Sequence, residues 1–175
     1  MHDETIGTVM ITQEQINKRA AEIGAEIEKD FAGEEVVLVG ILRGAVLWMG
    51  DIMKNVSLDM NIDFMAVSSY GASTKSSGVV KINKDLDTVI EGRNVIIVED
   101  IVDSGVTLNY LKQYMEGMNP KAVKICTLLD KPSGRRAEID VDYIGFTVED
   151  RFIIGYGLDY DQKYRNLPYI SYLQE

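Results

Sequence analysis

Val95-Ile96-Ile97-Val98 runs directly into Glu99-Asp100-Ile101-Val102-Asp103-Ser104-Gly105-Val106-Thr107, where most of the reactive side chains gather. Three carboxylates, two of them adjacent, end a strand that its apolar run predicts to be buried. Like charges crowded there are costly unless cations or hydrogen-bond donors compensate them. An adjacent acid pair suits hydrogen bonds from vicinal hydroxyls, or a place beside Mg²⁺. Ser104, Gly105 and Thr107 then offer hydroxyls and backbone N–H groups at a helix start, which together make a cradle for an anion such as a phosphate. The segment lacks the G-x-x-x-x-G-K spacing, so it is not a Walker P-loop. A plainer alternative is a helix N-cap, with Asp103 or Ser104 as the capping residue. That alternative leaves Glu99 and Asp100 without a role.

The elements that position this segment must come from one domain, because 175 residues is the size of one. A composition 46% hydrophobic and 26% charged can bury a substantial core. The charge sum, 18 basic minus 28 acidic, is −10. Such a surface repels phosphate backbones and argues against nucleic-acid or anionic-membrane partners. A phosphorylated ligand must therefore meet local cations, backbone amides or a metal. Cys126 is the single cysteine, which excludes an intramolecular disulfide and points to a reducing compartment. His2 is the single histidine, which argues against a Ser-His-Asp triad, a Cys-His dyad or a histidine zinc site. No stretch nears the roughly 18 apolar residues of a membrane span. The first dozen residues lack the pattern of a signal peptide. A soluble, cytoplasmic protein is expected.

Thr12-Gln13-Glu14-Gln15 fits a capping box, and Ile16, Ala20, Ile23 and Ile27 recur at helical spacing before a stop at Gly33. Val36-Val37-Leu38-Val39-Gly40-Ile41 reads as a strand buried on both faces. Residues 44–55 read as a helix with Val46, Met49 and Met53 on one side, and 60–67 as a strand. Residues 79–82 are a candidate returning strand. Strand 95–98, helix 105–118 and strand 122–129 repeat the alternation. The expected fold is α/β, a parallel sheet with helices on both faces. Such sheets bind ligands at the carboxyl ends of their strands.

The segment from Val95 to Thr107 resembles the phosphoribosyl-pyrophosphate (PRPP) signature of type I phosphoribosyltransferases, in the form of the hypoxanthine-guanine branch. The likeness continues in order through Leu42-Arg43-Gly44-Ala45, Ser69-Tyr70, Leu128-Leu129-Asp130-Lys131-Pro132 and the run from Arg151 to Tyr160, and reaches Arg165. It implies a type I phosphoribosyltransferase core over about 36–140, with a small hood from the N-terminal segment and about 143–175. It also implies purine salvage, with transfer of the 5-phosphoribosyl group of PRPP to hypoxanthine or guanine and release of pyrophosphate.

The resemblance implies roles residue by residue. Glu99 and Asp100 would bind the ribose hydroxyls, partly through Mg²⁺. The loop Asp103, Ser104, Gly105, Val106 and Thr107 would hold the 5′-phosphate, with Asp103 also the candidate general base at purine N7. Some relatives carry lysine where this chain has Val106. Leu42, Arg43, Gly44, Ser69, Tyr70 and Arg165 would meet pyrophosphate, with a cis peptide between Leu42 and Arg43. Lys131 would donate to the purine 6-oxygen, Phe152 would stack on the base and Ile153 would contact its edge. Asp159 would sit at the base site and hold a Mg²⁺ that carries pyrophosphate. The 69–78 segment would close over the site.

Read from spacing alone, these residues have plainer alternatives. Leu42–Ala45 is then an ordinary strand-to-helix turn, Lys131 a solvated strand end, Phe152 a core aromatic and 69–78 a hairpin tip. Adenine, xanthine or orotate transferases of the same fold, and a non-catalytic PRPP sensor, also remain open. Lys131, followed 21 positions later by Phe152, favours a 6-oxo base. Relatives in the family are dimers or tetramers, so a homo-oligomer is expected.

Overall fold

The computed structural model describes residues 6–69 and 80–174. Helix α1 (Gln13–Asp30) opens on the expected capping box: the Thr12 hydroxyl accepts from the Gln15 N–H at 3.2 Å, and the Gln15 side chain accepts from the Thr12 N–H at 2.8 Å. Its buried stripe is Ile16, Ala20, Ile23 and Ile27. Strands β1 (Val36–Leu42), β2 (Met60–Ser69), β3 (Val80–Lys84), β4 (Asn94–Val102), β5 (Ala122–Asp130) and β6 (Tyr143–Thr147) form one sheet in the order β3-β2-β1-β4-β5-β6. All pair in parallel except β3, which runs antiparallel to β2 at the edge.

The apolar strands are continuous because each face has its own helical cover. Val36, Leu38, Ile96 and Val98 pack with α1 and with α2 (Val46–Lys54). Val37, Val39, Ile41, Val95 and Ile97 pack on the other side, against Leu108, Leu111 and Met115 of α3 (Val106–Glu116). The inward face of α2 differs from the expected Val46, Met49 and Met53. Trp48, Met49 and Ile52 are buried, while Val46 is 47% exposed. The indole is the largest apolar side chain on the helix, and burying it sets the helix rotation.

Residues 143–147, expected in the hood, instead form the sixth strand of the main sheet, since their backbone pairs with β5. The hood begins after them. Strands β7 (Ile153–Ile154) and β8 (Ser171–Tyr172) pair antiparallel, and Ile6 and Ile11 bridge to Leu173 and Ile170.

The sheet order reverses at β1, which has β2 on one side and β4 on the other. That is the topological switch point, where a crevice opens beyond the strand ends. Pairing of β1 with β4 stops at Gly40↔Val98, whereas β4 continues to pair with β5 as far as Val102↔Asp130. Glu99 and Asp100 thus stand on β4 where its pairing with β1 has stopped and its pairing with β5 continues.

Candidate active site

Two cavities meet at the end of β4. One, of about 240 Å³, is lined by Glu99 through Gly105 together with Thr107 and Leu108. The other, of about 260 Å³, is lined by Asp100, Ile101, Asp103, Lys131, Arg151, Phe152, Ile153, Leu158 and Asp159. They share Asp100, Ile101 and Asp103, so a group in one faces a group in the other across this wall.

The first cavity ends at the start of α3. Its N-cap is Gly105 with φ +75°, so the cap position itself carries no side chain. Of the expected alternative, capping by Asp103 or Ser104, the structure shows one long hydrogen bond: the Ser104 hydroxyl accepts from the Val106 N–H at 3.4 Å. First-turn amides of a helix lack intrahelical partners, and here they border the cavity and favour an anion. The Val106 side chain is not among its lining residues.

Glu99 and Asp100 are partly buried side by side. Burial, then the charge of Asp100, pushes the Glu99 carboxyl well above the ordinary carboxylate range. Burial also raises Asp100, against the opposing pull of Glu99, the Ile101 N–H and Arg165. Gly44 permits this packing, since a Cβ there would lie 1.7 Å from Asp100 Oδ2. The β1 turn and the acid pair are thereby in direct contact.

A folded-state pKa above the unfolded one means that stability is lost as pH rises through it. Glu99→Gln is therefore expected to raise the melting temperature of the ligand-free protein at pH 7–8. Near pH 3, below the ordinary carboxylate range, the acid is protonated in both states and the gain should vanish. Thermal melts across this range test it, and a gain independent of pH would contradict the assignment.

In the second cavity, the pairing of Val102 with Asp130 places the next residues, Asp103 and Lys131, alongside each other. Lys131 Nζ lies 2.9 Å from Asp103 Oδ2 and 3.3 Å from Asp150 Oδ1. Burial lowers the Lys131 pKa, but the two carboxylates outweigh it and hold the ammonium above its usual value. Arg135 pairs with Asp130 and donates to the Asp103 carbonyl at 3.2 Å. Gly134 gives Asp103 its room, because a Cβ there would lie 1.7 Å from Asp103 Oδ1.

Phe152 is not the core aromatic that composition favours: it is 55% exposed. Tyr160 meets it edge-on, with ring centroids 5.5 Å apart. Ile153 is buried beside it in β7. Lys131, Phe152, Ile153 and Asp159, separated by up to 28 positions in the chain, thus line one cavity.

The Leu42–Arg43 peptide is cis. Arg43 donates to Gln162 Oε1 at 3.0 Å. Arg165 donates to the Gly157 carbonyl at 2.6 Å and pairs with Asp159 Oδ1 at 2.8 Å. Asp159 Oδ2 accepts from the Gln162 N–H at 2.8 Å. Ser69 ends β2, its backbone opposite Val80. Tyr70 and the rest of the expected closing segment to residue 78 lie outside the described residues.

Among the described residues, no three carboxylate, histidine or cysteine side chains converge on a metal position. Glu99, Asp100 and Asp159 therefore do not form one three-ligand site. The crowded pair Glu99–Asp100 does fit the usual Mg²⁺ arrangement of one or two carboxylates completed by substrate oxygens and water. Arg151, Leu158, Tyr160 and Gln162 also border or brace the site, and the sequence pattern gives none of them a task. Arg151, Leu158 and Tyr160 lie inside the resembling run, but side-chain type alone assigns them nothing.

Residues 10–161 match the family described as Phosphoribosyl transferase domain. The chain is 51% identical over 173 residues to the hypoxanthine-guanine phosphoribosyltransferase of Bacillus subtilis (strain 168), covering 99% of this chain and 95% of that protein. It is 48% identical to the enzyme of the same name from Streptococcus thermophilus (strain CNRZ 1066), covering 100% of this chain and 97% of the relative. A crystal structure of a Staphylococcus aureus hypoxanthine phosphoribosyltransferase superposes with a TM-score of 0.95 at 42% identity, covering 99% of this chain and 96% of the other. The strand order, the paired cavities and these matches agree: the chain belongs to the type I phosphoribosyltransferase family, in its hypoxanthine-guanine branch.

Proposed function

We propose that the chain transfers the 5-phosphoribosyl group of PRPP to hypoxanthine or guanine, releasing pyrophosphate and the 5′-mononucleotide. The observation that carries this reading is the Lys131–Asp103 pair, 2.9 Å apart in the cavity that shares a wall with the anion cradle. On a 6-oxopurine, O6 and N7 are neighbours on one edge. O6 accepts a hydrogen bond, and the N7–H tautomer donates one. A lysine beside an aspartate matches that edge. Binding exchanges partners: Lys131 turns from Asp103 to O6, and Asp103 faces N7–H.

Phe152 supplies a stacking face, an interaction worth about 1–3 kcal/mol per base. Across the shared wall, Glu99 and Asp100 accept hydrogen bonds from the ribose hydroxyls. Amides and hydroxyls from Asp103 to Thr107 hold the 5′-phosphate. Arg43, Arg165 and the 42–44 backbone receive the pyrophosphate. N9 bonds C1′ as the C1′–O bond to pyrophosphate breaks, and the N7 proton passes to Asp103. Glu99 and Asp100, and Asp159, would hold Mg²⁺, which would offset pyrophosphate charge.

The test is a spectrophotometric assay with PRPP and Mg²⁺ against hypoxanthine, guanine, xanthine and adenine in parallel. Turnover of the first two well above adenine is expected. Preference for adenine, or no turnover at all, would overturn the reading.

The lone buried Cys126 supports a reducing, cytoplasmic setting. No helix among the described residues is long and apolar enough to cross a membrane. Exposed Val46 and Leu47 on α2 support self-association into a dimer or tetramer. Light scattering behind a sizing column should then give a mass of two or four chains, and a 19.6 kDa species would contradict it.

A further inference from the structure

Two arginines from distant parts of the chain converge on one neutral oxygen. Gln162 Oε1 accepts from Arg43 at 3.0 Å and from Arg165 at 3.2 Å. The backbone N–H of the same residue donates to Asp159 Oδ2 at 2.8 Å, while Asp159 Oδ1 pairs with Arg165 at 2.8 Å. The turn that does this is left-handed at Asp161 (φ +49°) and Gln162 (φ +62°), which is uncommon for residues other than glycine. Among the described residues, Arg165 Nε is one of the few buried side-chain polar atoms without a hydrogen-bond partner.

These facts are hard to explain as structure for its own sake. Two guanidinium groups within hydrogen-bond reach of one atom repel each other, and a carboxylate would satisfy them better than an amide. Asp159 pairs with Arg165, which also acts on Asp100, while Arg43 has no carboxylate partner among the described residues. The cluster therefore holds an unpaired guanidinium, an orphan donor and only a weak neutral acceptor between its cations. A carboxylate would hold the arginines and resist any incoming anion, whereas an amide oxygen is readily displaced.

We infer that Gln162 is a positioning residue for the leaving-group site: its amide oxygen keeps Arg43 and Arg165 together in the place that a pyrophosphate oxygen then takes. The inference rests on the transferase reading and adds a residue to it. Neutrality at position 162 is its essential property. Gln162→Glu keeps size and acceptor geometry but places a fixed anion between the two arginines. Gln162→Ala removes the placeholder and leaves the cations free.

The experiment uses the full chain and both variants. Calorimetric titration with inorganic pyrophosphate and Mg²⁺ gives affinity, and steady-state kinetics give KM for PRPP and for hypoxanthine. Gln162→Glu should weaken pyrophosphate binding and raise KM for PRPP by at least about tenfold, because like charges are forced together. Gln162→Ala should lose only a few-fold. Both variants should keep the wild-type KM for hypoxanthine and its melting temperature. A purely structural role gives the opposite order, with Glu tolerated and Ala lowering both the melting temperature and the affinity. Wild-type pyrophosphate affinity in Gln162→Glu overturns the inference. If wild-type protein binds pyrophosphate with this order of variants yet transfers nothing to a purine, the transferase reading fails and the placement of Gln162 stands.

Discussion

Replacing Asp103 with asparagine is expected to lower kcat by about 10²–10⁴-fold, the usual contribution of a positioned acid–base group, while leaving KM for PRPP close to wild type. Asp103 belongs to the shared wall of both cavities, so in the proposed complex its carboxylate would face the purine edge beside the phosphate cradle. Asparagine keeps the shape and accepts a hydrogen bond from N7–H, but it does not take the proton. The binding amides of the 104–107 turn remain in place, which is why the loss should fall on turnover. Lys131 would keep Asp150 as a carboxylate partner at 3.3 Å, so the ammonium stays charged. Steady-state kinetics with saturating PRPP and hypoxanthine decide it. Unchanged kcat would remove Asp103 from proton transfer.

The second large effect is expected from Lys131→Ala, which should raise KM for hypoxanthine and guanine about ten- to a hundredfold. The Lys131 side chain is only 13% exposed and offers donors without an acceptor. O6 of a bound purine would lose its partner, at a cost of about 1–3 kcal/mol. Each 1.4 kcal/mol is about a tenfold change. Adenine presents a donor at the same place, so the gap between adenine and the 6-oxopurines should narrow. KM for PRPP should hardly move, because the phosphate cradle is built from β4 and α3. Wild-type KM for both 6-oxopurines would return Lys131 to the role of a strand-end lysine.

The parts of this account that were legible in the sequence are those that depend on near neighbours. The Thr12–Gln15 box and the doubly buried β1 are local patterns, and each stands where its pattern placed it; Glu99 and Asp100, expected beyond the end of a strand at Val98, lie inside β4, which runs on to Val102. What could not be read depends on register and packing. The pairing of Lys131 with Asp103 follows from Val102↔Asp130 in β4 and β5, a parallel alignment that no local motif encodes. Exposure of Phe152 depends on where the hood leaves the base cavity open. On α2 the spacings 46-49-53 and 48-49-52 fit a helix equally well, and only burial of Trp48 against α1 and the sheet separates them. The resemblance puts Tyr143-Ile144-Gly145-Phe146-Thr147 in the hood, and five residues are too short a run for their own pattern to reveal the sheet edge they form. Gln162 carries neither charge nor a titrating group, so only its position between two arginines gives it meaning.

In the proposed reaction, base and phosphoribosyl group meet across the wall of Asp100, Ile101 and Asp103. A crystal structure of the chain with PRPP, Mg²⁺ and a non-reactive purine analogue would show whether they do. O6 is expected within hydrogen-bond distance of Lys131 Nζ, with N7 facing Asp103, the ring on Phe152 and the 5′-phosphate on the 104–107 amides. A base bound away from Lys131 and Asp103, or a 5′-phosphate outside the start of α3, would contradict it.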